Sequence, residues 1–260
     1  MKKLALLTLA ILSWTTVGAA DFGRTLESPD FNSGKTIWIV RAGIGLNGTA
    51  GGAKDAQIEA WKDNNRDGSF KTTPGFDVSF GFNKSFGEHP LYWGMELTLG
   101  TRGYKTSAVF ERSASSSVSG GSDYHKKVVD EKLSTYNVQL SPITIGYKYT
   151  FLERMAADIH VGAYAAYDFA GNYTVLTEDI IHSTGKYGSQ NKHTSDKEKV
   201  KIGDIDGMHK FDAGMNLGIG YWFGHFNVDL TWQRGFVPIY KGGDDHLYTN
   251  NIQIRLGYAF

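Results

Sequence analysis

Along most of residues 36–260, apolar side chains alternate with polar or small ones. Phe76, Val78, Phe80 and Phe82 alternate with Asp77, Ser79, Gly81 and Asn83. Phe211, Ala213, Met215, Leu217, Ile219, Tyr221 and Phe223 alternate with Asp212, Gly214, Asn216, Gly218, Gly220 and Trp222. Phe226, Val228, Leu230 and Trp232 alternate with Asn227, Asp229 and Thr231, and the last nine residues, Ile252 to Phe260, do the same. A β-strand sends successive side chains to opposite faces, so this period predicts strands with one bulky apolar face and one polar, glycine-rich face. Eight strands are expected, over 36–47, 74–86, 91–106, 133–150, 156–174, 208–223, 226–239 and 247–260. Apolar parity switches at Ser141-Pro142, where proline has no N–H for a ladder, so a bulge is expected there.

The connections alternate in length. Segments 87–90, 151–155 and 224–225 are short; 48–73, 107–132 and 175–207 are long and polar; 240–246 is intermediate. Short turns on one side and long loops on the other characterise transmembrane barrels, and an even strand count returns both ends to the short-turn side. Aromatic residues gather at both strand ends. Trp38, Trp93, Tyr149, Phe151, Phe223, Phe226, Tyr258 and Phe260 lie towards the short turns, and Tyr104, Tyr136, Tyr173, Phe236 and Tyr248 towards the long loops. Two aromatic belts around an apolar band are expected at two membrane interfaces. The expected fold is therefore all-β: an eight-stranded antiparallel up-and-down transmembrane β-barrel, apolar outside and polar within.

Residues 1–20 have the form of a cleaved export signal: Lys2 and Lys3, an apolar run from Leu4 to Leu12, then small residues at 17–20. That run is too short to span a bilayer as a helix. Residues 21–35 form a short segment ahead of the barrel, which takes up 36–260. The absence of cysteine excludes a disulfide framework. Lys+Arg and Asp+Glu both total 27, so no basic footprint marks the chain for nucleic acid. Glycine, at 32 of 260 residues, exceeds the usual ~7% and suits tight turns and a crowded lumen.

By parity, the lumen receives Arg41, Asp77, Glu96, Arg102, Lys148, Asp158, His160, Asp168, Asp212, Asp229 and Arg255. An eight-stranded barrel is only wide enough for side chains to fill it, so these charges are expected to pair and close the path. Lys148 with Asp158, and Asp229 with Arg255, lie at similar heights on adjacent strands. Asp63-Asn64-Asn65-Arg66-Asp67-Gly68 matches the opening of a calcium loop, with Asp63, Asn65 and Asp67 as ligands, but Pro74 stands where the bidentate glutamate belongs. Ser122-Asp123-x-His125, His182-Ser183 and Asp244-Asp245-His246 hold serine, histidine and carboxylate in polar loops. No nucleophile-elbow, Walker or zinc-protease motif accompanies them, and no catalytic residue or cofactor is assigned.

Five segments resemble the PorT-like outer-membrane β-barrel domain family. They are Ser141-Pro142-Ile143-Thr144-Ile145-Gly146-Tyr147-Lys148-Tyr149, His160-Val161-Gly162-Ala163-Tyr164, the run from Phe211 to Tyr221, Trp232-Gln233-Arg234-Gly235-Phe236-Val237-Pro238-Ile239, and Leu256-Gly257-Tyr258-Ala259-Phe260. The resemblance implies a monomeric barrel in outer-membrane lipid, inserted by the barrel-assembly machinery that reads the last strand, with Leu256, Tyr258 and Phe260 as its signal. It implies no shared activity. The chain ends at Phe260, so the peptidoglycan-anchoring domain of some barrels is not expected. The role expected from these observations is structural or surface recognition of an extracellular ligand through the long loops. A small-solute channel and a lipid-modifying enzyme are the alternatives.

Overall fold

The computed structural model describes residues 33–64, 66–116, 121–152, 155–185, 188–241 and 245–260. In chain order these form β1 (Thr36–Ala50), α1 (Gly52–Asp63), β2 (Asp67–Lys71), β3 (Thr73–Ser85), β4 (Leu91–Ser116), β5 (Gly121–Leu152), β6 (Met155–Gly185), β7 (Gly188–Lys201), β8 (Phe211–Phe223), β9 (Phe226–Gly235) and β10 (Tyr248–Ala259). Eight strands close an antiparallel ring, β1–β3–β4–β5–β6–β8–β9–β10 and back to β1. Closure runs from Ile39 opposite Ala259 to Ala50 opposite Tyr248. A closed ring leaves no unpaired edge, the condition a bilayer imposes on strands that cross it.

The wall is inside-out relative to a water-soluble barrel. Ile44, Leu97, Ile219, Leu230 and Ile254 stand exposed on its outside, while Arg41, Asp77, Asp158, Asp229 and Arg255 are buried within. At Ser141-Pro142 the ladder slips: the register with β6 jumps between Leu140 and Ile143, and the register with β4 jumps between Gly94 and Glu96. This bulge lets Leu140 and Ile143, of opposite parity, both face outwards.

The long outer segments differ from the expected loops. Residues 48–73 contain α1 and β2, and most of 107–132 and 175–207 is strand. β4, β5 and β6 continue beyond the ring, with β2 added along β4 and β7 along β6. The result is a five-stranded outer blade in the order β2-β4-β5-β6-β7. Period two fails to announce it because both faces meet water: all the β7 residues from Ser189 to Lys199 are exposed. The strand expected over 226–239 stops at Gly235. Beyond it Pro238 cannot donate to a ladder, and the chain turns over the barrel mouth, where His209 N–H donates to the Ile239 carbonyl (2.9 Å) and Ile239 N–H to that of Leu247 (2.7 Å).

Two apolar clusters bracket the lumen. At the short-turn end Ile37, Ile39, Ala156, Trp222 and Ala259 pack together. At the blade end Tyr104, Leu133, Ile202, Met208, Ile239 and Leu247 form a cap, with Phe70, Tyr173, Ile205 and Tyr240 packed against it. Tyr104 and Tyr173, expected in the lipid-facing belt, instead turn towards the mouth. Tyr136 and Phe236 do face outwards.

Candidate functional site

The lumen is filled by a connected polar network. In its lower half Glu96 accepts hydrogen bonds from Arg41 Nη1 and from Arg255 Nη1 (2.7 Å). Arg255 also donates from Nε (3.1 Å) and Nη2 (2.9 Å) to Asp229 Oδ1, its direct cross-strand neighbour. Asp229 Oδ2 lies 3.5 Å from His160 Nε2, and His160 Nδ1 lies 3.3 Å from Asp158 Oδ1. Trp222 Nε1–H (2.8 Å) and the Tyr92 hydroxyl (3.3 Å) donate to Asp158 Oδ2. Lys148 stands opposite Asp158 in register, with its ammonium 3.9 Å from the Trp222 ring centroid and 5.2 Å from that of Tyr92. Its charge is thus held over two π faces beside a carboxylate. Asp77 sits beside Arg255 across Gly43, where a Cβ would fall 2.5 Å from Arg255 Cγ and 2.8 Å from Asp77 Oδ2.

Glycine makes room for these groups. A Cβ at Gly218 would lie 2.3 Å from His160 Nε2, and one at Gly220 would lie 2.4 Å from Asp158 Oδ1. In the upper half Arg102 donates to Asp212 Oδ2 (2.8 Å) and Gln139 Oε1 (2.7 Å), and Tyr164 and Thr249 also donate to Asp212 (both 2.8 Å). Gln233 Nε2 bridges Gln139 (2.7 Å) and Asn216 (3.1 Å). Asp168 is buried in the same region. Donor atoms of Asp158, His160 and Asp229 lie within 4.8 Å of one another, the grouping among the described residues able to gather a metal. Both carboxylates already accept bonds from protein donors, so the three serve as links in the network.

A roomy cavity lies outside the lumen, at the blade-side mouth. It measures about 370 Å³ and is lined by Phe70, Tyr104, Glu131, Tyr173, Ile205 and Tyr240, among others. The Tyr104 and Tyr240 hydroxyls are 3.0 Å apart, and Thr106 donates to Glu131 (3.1 Å). Burial pushes the hydroxyls of Tyr104, Tyr173 and Tyr240 above the usual phenol range, so they remain protonated. The cup therefore offers ring faces, hydroxyl donors and two carboxylates, Glu131 and Asp245.

A closed antiparallel ring with an apolar outside and an ion-paired inside is a structure for lipid. The model of the outer membrane protein beta-barrel domain family matches residues 38–241. The chain belongs to this family. Its barrel sits in the bacterial outer membrane; barrels of that membrane turn their short connections to the periplasm and their long ones outwards. Among solved structures, it is similar to the attachment invasion locus protein Ail of Yersinia pestis (10% identity, 87% of this chain and 99% of that one, TM-score 0.28). It is also similar to the Neisserial surface protein NspA (10%, 86% and 97%, 0.33) and to the KdgM porin (8%, 84% and 99%, 0.18). No curated protein matches the sequence.

Most of the remaining sequence candidates lie apart from both sites. Asp63 ends α1 and Asp67 begins β2, both exposed, while Asn65 falls outside the described residues. Asp67 opens the strand whose residues 67–71 pair with β4. Asp123, His125, His182 and Ser183 come together near the tip of the blade. There Ser183 donates to Asp123, His125 Nε2 is 3.3 Å from Asp179 Oδ1, and His182 pairs with Asn191. No serine–histidine–carboxylate relay joins them. Asp244 lies outside the described residues, Asp245 lines the mouth cavity, and His246 borders the mouth beside Tyr248, their rings 6.1 Å apart. Leu256 is exposed to lipid, and Tyr258 packs against Phe226 and His225 at the periplasmic rim, where Phe260 exchanges backbone bonds with Trp38. Parity carried the lumen residues; the mouth cup escaped sequence reading because its residues come from seven separate stretches of chain.

Proposed function

We propose that this outer-membrane barrel is a non-conducting, non-enzymatic scaffold that presents a recognition surface, made of the blade and the aromatic mouth cup, to an extracellular ligand. The observation that carries this reading is the state of the lumen. Glu96 joins Arg41 and Arg255 across the axis, Asp212 joins Arg102, and apolar clusters shut both ends. The cavities between them measure about 10 to 30 Å³, each room for about one water. An ion would have to break several charge-assisted bonds and pass two apolar plugs. The blade and the cup, by contrast, hold varied polar and aromatic groups on a rigid frame, the usual setting for recognition.

Single-channel conductance of the refolded barrel in a planar bilayer tests the proposal. Silent membranes with confirmed insertion are expected. Discrete, voltage-stable steps would replace it with the channel reading and make Glu96 and Arg255 the first residues to change.

A further inference from the structure

Four lysines widely separated in sequence fall on one cross-strand row of the sheet. Lys71 of β2 pairs with Lys105 of β4, Lys105 with Lys132 of β5, Lys132 with Thr174 of β6, and Thr174 with Lys199 of β7. They share the outward face: Lys105 has the parity of Leu97 and Leu99, and Lys132 that of Tyr136 and Leu140, all exposed to lipid. Neighbouring strands are about 4.8 Å apart, so the row spans roughly 19 Å. Lys132 stands one residue pair beyond Ser134 and two beyond Tyr136. At ~3.3 Å per residue and a strand tilt of about 40°, that places Lys132 roughly 10 Å above the last lipid-facing ring, and the same tilt sets one end of the row about 6 Å higher and the other about 6 Å lower.

Like charges directly opposite each other in a sheet are destabilising. Here two such pairs share one strand, and Asp130, 2.7 Å from Lys105, makes the only ion pair in the row among the described residues. Lys201 and Lys197 extend the positive charge along β7, whereas Asp67, Glu111 and Glu178 lie further out on the same face. Basic groups are thus concentrated on the outward face, at the depth where headgroups meet the barrel.

We propose that this row binds a membrane lipid whose headgroup carries two or more phosphates, held from the outer leaflet with its chains against the apolar wall of β4 and β5. The lysine spacing matches a headgroup with separated anions, and the flush apolar wall beneath supplies the acyl surface. This inference depends on the membrane placement and is independent of the recognition role proposed above.

The test uses the full chain refolded in neutral-detergent micelles and titrated with diphosphoryl lipid A, bound lipid being read by native mass spectrometry. Each lysine near an anionic surface contributes about fivefold in affinity, so Lys71→Gln/Lys132→Gln/Lys199→Gln is expected to weaken binding about 100-fold. Lys62→Gln/Lys127→Gln/Lys192→Gln, which alters lysines elsewhere, should bind like the wild type. Lipid A stripped of its phosphates should bind wild type as weakly as the diphosphoryl form binds the row variant. Inorganic pyrophosphate should not compete. Equal affinity of wild type and row variant, or equal binding of stripped lipid, would overturn the proposal. Row-dependent competition by pyrophosphate would also overturn it, by identifying a soluble anion as the ligand. Both variants alter exposed side chains, and a heat-resistant folded band confirms each before titration.

Discussion

Glu96→Gln isolates the central link of the lumen network. Glu96 is the carboxylate shared by Arg41 and Arg255. After the substitution Arg255 keeps two bonds to Asp229, but Arg41 keeps only a neutral acceptor, Asn227 Oδ1, at 3.2 Å. Stranding a buried charge costs about 3–5 kcal/mol. The glutamine carbonyl still accepts one hydrogen bond, recovering about 1 kcal/mol. The expected loss is therefore roughly 2–4 kcal/mol. It can be read from urea unfolding of the micelle-embedded barrel by tryptophan fluorescence. The sharper expectation concerns Arg41→Gln/Glu96→Gln. Removing the charge together with its partner should leave the double variant more stable than Glu96→Gln alone, because no unpaired guanidinium remains. A Glu96→Gln barrel within about 0.5 kcal/mol of wild type, or a double variant showing the sum of the single losses, would refute the charge-pairing account of the lumen.

Trp222→Ala removes the fully buried ring of the periplasmic plug, a donor to Asp158 and the platform under Lys148. A loss of about 3–5 kcal/mol is expected in the same unfolding assay, with brief conductance events in bilayers that are silent for the wild type. Gly68→Val places a Cβ 1.9 Å from the Trp61 ring. Trp61 should be driven off β2 and become accessible to acrylamide quenching while the barrel unfolding midpoint stays unchanged. For Asp130, burial opposes ionisation, but hydrogen bonds from Lys105 and Ser107 and the charges of Lys105 and Lys71 outweigh it and lower its pKa. A depressed carboxylate pKa means that the pairing is present at neutral pH and is lost as pH falls below the ordinary carboxylate range. Asp130→Asn mimics that loss and should strengthen binding of diphosphoryl lipid A about fivefold by unmasking Lys105.

The ring was legible in the sequence because each of its strands separates lipid from lumen. Period two follows directly from that division, so Asp212 and Phe211, or Asp229 and Leu230, reveal their sides by chemistry alone. The blade was not legible, because a sheet with water on both faces has no apolar parity; its existence depends on backbone pairing, as between β6 and β7. Tyr104 is a different case. It shares parity with Arg102, so alternation already assigned it inwards, and its nearness to a strand end was the misleading signal. Tyr173 follows a slip in which Asn137 faces Asp168 and Tyr136 faces Ala170, a bulge that skips Phe169 and carries no proline to mark it. The lysine row depends wholly on register: positions 71, 105, 132 and 199 have no relation along the chain until five strands align them.

The unbroken length of β4, β5 and β6 has one further consequence. From Tyr136 to the end of β5 at Gly121 the strand runs about 50 Å without a hinge, at ~3.3 Å per residue. The blade tip is therefore held at a set altitude above the lipid, in contrast to a tethered loop that samples many heights. That altitude can change only in quantised steps. Adding or removing one residue from each strand would swap the two faces of the blade, whereas adding or removing two preserves them. The blade is in effect a ruler graduated in residue pairs, each mark about 6–7 Å along the strand.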